Sequence, residues 1–251
     1  MRVAFVGKGG SGKSTVAGTI ARLLAREGEK VLALDVDTLP GLAFSLGMGP
    51  VADTGLPEDL AERREGKGWV LREEVSAEAL VDQHAIDAPD GIRFLQLGKL
   101  PGRVKPASNA AFRHVVDTFR RDGWSMVGDL AAGPRQGAYG WAGFASVIVV
   151  VAEPTTAGLL TARRLRGALP ESPSIALGLV INKVREDGPR ARMPEGLDLP
   201  IWAQVPYDAD MAAAEREGRA PIDAASGSRG VSAIREFLGV LRRIDRESET
   251  S

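Results

Sequence analysis

The residues best equipped for chemistry stand near the start of the chain, in Gly7-Lys8-Gly9-Gly10-Ser11-Gly12-Lys13-Ser14-Thr15. The run satisfies G-x-x-x-x-G-K-[ST], the spacing of a phosphate-binding loop, and the chemistry it suits is phosphate binding and phosphoryl transfer. Gly9, Gly10 and Gly12, around Ser11, let backbone N–H groups turn inward onto phosphate oxygens without a Cβ clash. A helix opening near Lys13 adds the positive end of its dipole. Lys13 is expected to bridge the β- and γ-phosphates, the Ser14 hydroxyl to bind Mg2+, and Thr15 to complete the nucleotide cradle. Lys8 is a second lysine inside the loop; taken alone it reads equally well as a solvated charge.

Phosphoryl transfer also needs carboxylates near the metal and the attacking water. Asp35 and Asp37 close the run Val31-Leu32-Ala33-Leu34-Asp35-Val36-Asp37, and Asp129 closes Trp124-Ser125-Met126-Val127-Gly128-Asp129. Asp129 with Gly133 suggests a γ-phosphate sensor: the aspartate toward Mg2+, the glycine N–H toward the phosphate. Each aspartate alone could equally cap a helix or turn. Val180-Ile181-Asn182-Lys183 ends a later strand, and the Asn182 amide could both donate to and accept from a purine edge. Pro206, in Val205-Pro206-Tyr207-Asp208, stands where backbone groups could flank the base.

These residues need a scaffold that brings strand ends together. Apolar runs at 3–6, 31–34, 92–97, 125–129, 147–151, 175–181 and 201–205 read as strands apolar on both faces. Helical periodicity fills 14–26, 109–121, 156–168, 209–217 and 230–244. The alternation predicts an α/β fold: a doubly wound, mainly parallel sheet of seven or eight strands with helices on both faces, the architecture of a P-loop NTPase. One domain over 1–251 is expected, with a helical insertion around 53–90, a C-terminal helix around 230–244 and fraying at 246–251. Composition agrees with a globular chain: 251 residues, 44% hydrophobic, net charge −1. That charge gives no global pull toward nucleic acid or anionic membrane. There is no cysteine, which excludes disulfides, thiolate metal sites and a thiol nucleophile. No apolar run approaches the roughly 18 residues of a membrane span, and a cytoplasmic protein is expected.

The loop Lys8-Gly9-Gly10-Ser11-Gly12-Lys13-Ser14-Thr15 resembles K-G-G-x-G-K-[ST]-[ST] of the deviant Walker A ATPases, the group of MinD, ParA and the nitrogenase iron protein. Within that group the chain is most similar to the CooC type, from residue 2 to about 243. The landmarks are Leu34-Asp35-Val36-Asp37, Leu97-Gly98-Lys99, Asp129-Leu130-Ala131-Ala132-Gly133, the run Val149 to Pro154, Asn182-Lys183 and Gln204-Val205-Pro206-Tyr207-Asp208. The resemblance implies roles. Lys8 is the signature lysine that crosses a dimer interface to the partner's phosphates. Asp37 activates the attacking water, Asp35 lies near the Mg2+ shell, Asp129 and Gly133 form the second switch, and Asn182 contacts adenine. It implies ATP and Mg2+ as ligands, ATPase activity, a nucleotide-dependent homodimer and a protein client. Three departures stand out. The Cys-x-Cys pair of the CooC type falls at Arg103 and Lys105. The first switch reads Asp37-Thr38-Leu39-Pro40-Gly41 rather than Asp-Pro-Asn-Pro-Asn. A glutamate common after the second-switch aspartate is Ala131.

The remaining features favour bland readings. His84 and His114 lack metal spacing. Arg163, Arg164 and Arg166 form a short basic run that reads first as a solvated helix face, with DNA as the less favoured partner. The C-terminal helix, carrying Ile234, Phe237, Leu238, Leu241 and Ile244, reads as core-docked rather than membrane-bound. Trp69 and Trp141 fit either an interface or the core.

Overall fold

The structure, a computed structural model, describes residues 1–36, 41–51, 55–98, 105–130, 141–169, 172, 174–187 and 192–249. In chain order it contains β1 (Arg2–Gly7), α1 (Lys13–Arg26), β2 (Lys30–Asp35), α2 (Leu42–Leu46), β3 (Ala61–Arg64), β4 (Gly68–Leu71), α3 (Ala77–His84), β5 (Ile86–Ala88), β6 (Ile92–Gln96) and α4 (Pro106–Thr118). There follow β7 (Trp124–Asp129), β8 (Val147–Ala152), α5 (Thr156–Arg166), β9 (Ala176–Val184), β10 (Ile201–Pro206), α6 (Ala209–Arg216), α7 (Pro221–Ala224) and α8 (Arg229–Glu249).

Eight strands form one sheet in the order β10-β9-β8-β1-β7-β2-β6-β5, parallel throughout except for β5. The sheet is buried on both faces, which is why the strands lack polar alternation. Successive residues of β1 feed different cores. Val3 and Phe5 pack with Ile20 of α1 and Ile234 and Phe237 of α8. Ala4 and Val6 pack with Leu80 of α3, Phe112 of α4 and Leu159 of α5. All six residues of β8 are buried, and burying each valine or isoleucine side chain there contributes about 1.5–3 kcal/mol. The central strands are thus anchored on both faces by buried side chains, and their carboxyl ends offer firm points for a site.

The structure departs from the sequence expectations in three places. The segment around 53–90 is not a helical insertion. Its described part holds a two-stranded antiparallel ribbon, β3 with β4, then helix α3 and strand β5. Glu62, Arg63 and Arg64 pair with Val70, Trp69 and Gly68; β3 is mostly charged and β4 has only three apolar residues in a row, so neither carries an alternation that announces a strand. Strand β5 has three residues and adds an antiparallel edge, ended by Pro89, which has no N–H to extend the ladder. Helix α4 occupies Pro106–Thr118 rather than 109–121, because Pro106 takes the first helical turn and Phe119 turns extended. Helix α8 runs on through 246–249 instead of fraying at 246. Arg242 pairs there with Glu27 and Glu29, and Asp245 with the terminal amine of Met1.

Candidate functional site

Three adjacent parallel strands end side by side. β1 delivers Gly7, β2 delivers Asp35 and β7 delivers Asp129, with Asp129 opposite both Phe5 and Asp35 in register. This is the crevice where doubly wound sheets bind ligands. The chain leaving β1 turns sharply. A Cβ on Gly7 would lie 2.5 Å from the Val151 carbonyl oxygen. Gly10 and Gly12 sit at φ 84° and 82°, a region that costs other L-residues about 1–2 kcal/mol. Gly12 caps α1 without any side-chain hydrogen bond, and no acidic residue occupies the first turn. The N–H groups of that turn therefore face the loop, a ready anion site.

Lys13 is 4% exposed and its Nζ donates to Asp129 Oδ1, itself fully buried. The Asp35 carboxylate, also fully buried, accepts the Leu42 N–H at 3.2 Å and so starts α2, whose cap Gly41 has no side chain to do it. Ser14 is half-buried at the mouth, and Lys8 is exposed. The donor set fits its expected ligands. A glycine nest, an uncapped helix start and a buried lysine suit polyphosphate. A hydroxyl with two buried carboxylates supplies the hard oxygens that Mg2+ prefers. Asp37 and Gly133 lie outside the described residues, as do Lys99, Arg103 and Ala131.

At the far end of the loop, Thr15, Asn182, Pro206, Tyr207, Asp208 and Glu215 line a small recess. Asn182 is buried and donates its Nδ2 to the Ser11 carbonyl at 2.8 Å. One hydrogen of the amide nitrogen expected at a purine edge is thus used on the loop. Thr15 Oγ1 donates to Glu215 across 200 positions of sequence. The Arg185 guanidinium stacks on the Tyr207 ring at 3.8 Å. Burial alone would push the Asp208 carboxyl up. Backbone N–H bonds from Gly230 and Met211, the Ser228 hydroxyl and the Asp210 N–H outweigh it, so its pKa lies below the ordinary value.

Sequence reading assigned no role to Glu215, Glu153 or Lys183. Glu215 carries no local signal, since its partner Thr15 is distant in sequence. Glu153 stands in the sequence only within the run Val149 to Pro154, a landmark of the family resemblance. Glu153 and Thr155 line a second recess beside Lys8, Gly9, Gly10 and Ser11. Lys105 pairs with Glu58. Arg163 donates to the Glu195 carbonyl at 3.2 Å and Arg166 pairs with Asp198 at 3.6 Å, so two of the three basic side chains in α5 are spent on the 192–199 segment. Trp141 is nearly buried, edge-on to Phe112 and covered by Arg113, whereas Trp69 is exposed on the ribbon.

Comparison with known proteins agrees with this geometry. Residues 3–222 match the CobQ/CobB/MinD/ParA nucleotide binding domain. The carbon monoxide dehydrogenase accessory protein CooC of Rhodospirillum rubrum is 27% identical over 237 residues, covering 87% of this chain and 88% of that protein. Among solved structures, a ParA family ATPase from Chlorobium tepidum superposes with a TM-score of 0.70 at 19% identity, over 94% of this chain and 97% of the other. The septum site-determining protein MinD of Pyrococcus horikoshii, complexed with Mg-ADP, gives a TM-score of 0.66 at 19% identity, over 98% and 96%.

Proposed function

The chain belongs to the CobQ/CobB/MinD/ParA nucleotide-binding family, and on that premise we propose that it is a slowly hydrolysing MgATP switch, dimeric when loaded, that acts on a protein client as a maturation or regulatory factor. The observation that carries the reading is Lys13, buried at the start of α1 and held against Asp129 at the end of β7. A buried lysine beside an uncapped helix start is poised to exchange a carboxylate for phosphate oxygens.

Binding of triphosphate would draw Lys13 Nζ onto the β- and γ-phosphates and release the Asp129 carboxylate. Ser14 would hold Mg2+ with Asp35 and Asp129 nearby, and the ion supplies neutralising charge on the phosphates. Asp37 would accept the proton of the attacking water, and exposed Lys8 would reach across a dimer to stabilise charge on the transferred group. The client assignment rests on the CooC likeness. The chain lacks cysteine and places Lys105, paired with Glu58, at one aligned ligand position, so a client would be engaged without thiolate-held metal.

The test is equilibrium binding of ATP with and without Mg2+, followed by turnover. Wild type should bind MgATP and release phosphate slowly, and Lys13→Ala should lose both. ATP binding that survives Lys13→Ala unchanged would reject the site.

A further inference from the structure

Two consecutive side chains on β9 grip two consecutive carbonyls of the phosphate loop. Asn182 Nδ2 donates to the Ser11 carbonyl at 2.8 Å, and Lys183 Nζ donates to the Gly10 carbonyl. In a regular strand this cannot happen, since neighbouring side chains point to opposite faces. The register with β10 shows how it does. Gln204 and Pro206 lie opposite Ile181 and Val184, so β9 spends three steps where β10 spends two. The extra residue is a bulge, a device that re-aims side chains beside sites. Lys183 stands at φ 61°, in the left-handed region that disfavours a residue with a Cβ. A strained non-glycine residue held by its surroundings marks a functional constraint. Glu153 fixes the other side of the ammonium, 3.0 Å from Lys183 Nζ, and ties it to the end of β8. The fit is close: a Cβ on Gly12 would fall 2.1 Å from Asn182 Nδ2.

We infer that Lys183 is a positioning residue for the phosphate nest: its ammonium, braced by Glu153, holds the Gly10 carbonyl outward and so sets the Gly10–Ser11 peptide, whose N–H closes the turn of the loop onto the Lys8 carbonyl at 3.0 Å. Pinning a carbonyl on one side of a peptide plane fixes the N–H on the other side, and a nest preorganised in this way binds anions without first ordering itself. The inference rests on the nucleotide reading above and adds to it that base-side strand β9 sets the geometry of the phosphate side. Lys183 acts through the loop rather than on the base.

The experiment measures dissociation constants of ATP, inorganic triphosphate and adenosine for wild type, Lys183→Met, Lys183→Arg and Glu153→Gln, with thermal unfolding as the control for folding. Lys183→Met should weaken ATP and inorganic triphosphate by the same factor, about tenfold or 1.4 kcal/mol, and leave adenosine unchanged. Lys183→Arg, which keeps a donor, should restore most of the affinity, and Glu153→Gln should weaken triphosphate by a smaller factor. The wild-type to Lys183→Met ratio should persist from about 0.05 to 0.5 M salt, where a distant charge would be screened. Unchanged triphosphate affinity, a loss confined to adenosine, or a ratio that vanishes at high salt would overturn the inference. Wild-type chain that binds neither ATP nor triphosphate would overturn the nucleotide reading itself, and this inference with it.

Discussion

Lys13 faces a choice between Asp129 and a phosphate, and burial makes that choice consequential. Both partners of the pair are almost inaccessible to water. Removing one member of a buried ion pair is far costlier than removing both, because the survivor keeps its desolvation cost without its closest counter-charge. Lys13→Ala should therefore lower the stability of the nucleotide-free protein by about 3 kcal/mol, read as a fall in the urea midpoint. Adding Asp129→Leu to that variant should recover part of the loss, a non-additivity that a double-mutant cycle measures. Additive losses would mean that the two groups do not sense one another. Asp37 belongs to the same scale. As the proposed base for water, its replacement in Asp37→Ala should slow turnover by about two to four orders of magnitude while ATP still binds, and unchanged turnover would remove it from the chemistry.

Helix α2 shows how an element is held in place for a site. It begins on the Asp35 carboxylate and crosses α1 closely at Gly18, where an added Cβ would stand 2.6 Å from Ser45 Cβ and 3.0 Å from its carbonyl carbon. Replacing a helical glycine with alanine ordinarily gains about 1 kcal/mol, but here backbone must move. Gly18→Ala should destabilise by about 1–3 kcal/mol and reduce turnover, since the displaced α2 is tied through its Leu42 N–H to the Asp35 carboxylate. Asp208 does similar duty for α6, accepting the Asp210 and Met211 N–H groups at 3.0 and 3.1 Å, and it also accepts the Gly230 N–H at the start of α8. Its carboxyl pKa lies below the ordinary value, so its contribution is full above an unfolded pKa of about 3.9 and is lost as pH falls through the folded value. Urea midpoints of wild type and Asp208→Asn should differ clearly at pH 7 and draw together as pH falls below about 3.9. A gap that stays constant with pH would leave the carboxylate charge without a role. Elements of this kind also mark where sequence is readable. The loop, α1 and the ends of β2 and β7 are legible because motif and periodicity are local and the strands are apolar on both faces. The ribbon β3–β4 is illegible because charge fills β3 and β4 is a short apolar run without alternation. The Thr15–Glu215 contact and the bulge at Asn182–Lys183 are illegible because each exists only after distant strands and helices have paired.

At the scale of the whole molecule the site is asymmetric. Its inner half, Lys13, Asp35 and Asp129, is buried in one chain, whereas Lys8 projects from the same loop into solvent. A cation placed on the outer wall of a phosphate site does little for its own chain, because water screens it. A second copy facing this mouth would desolvate Lys8 and bring it near a second set of phosphates, where a charge stabilises transfer strongly. The net charge of −1 offers no general attraction between copies, so association would depend on the nucleotide that supplies the anionic partner. Wild type should then be monomeric without ligand and dimeric with MgATP in sedimentation or light scattering. Lys8→Ala should remain monomeric with MgATP while its affinity for ATP as a monomer changes by less than about threefold. Normal dimerisation of Lys8→Ala would show that the lysine does not act across an interface, and a loss of ATP binding in the monomer would place it inside its own site.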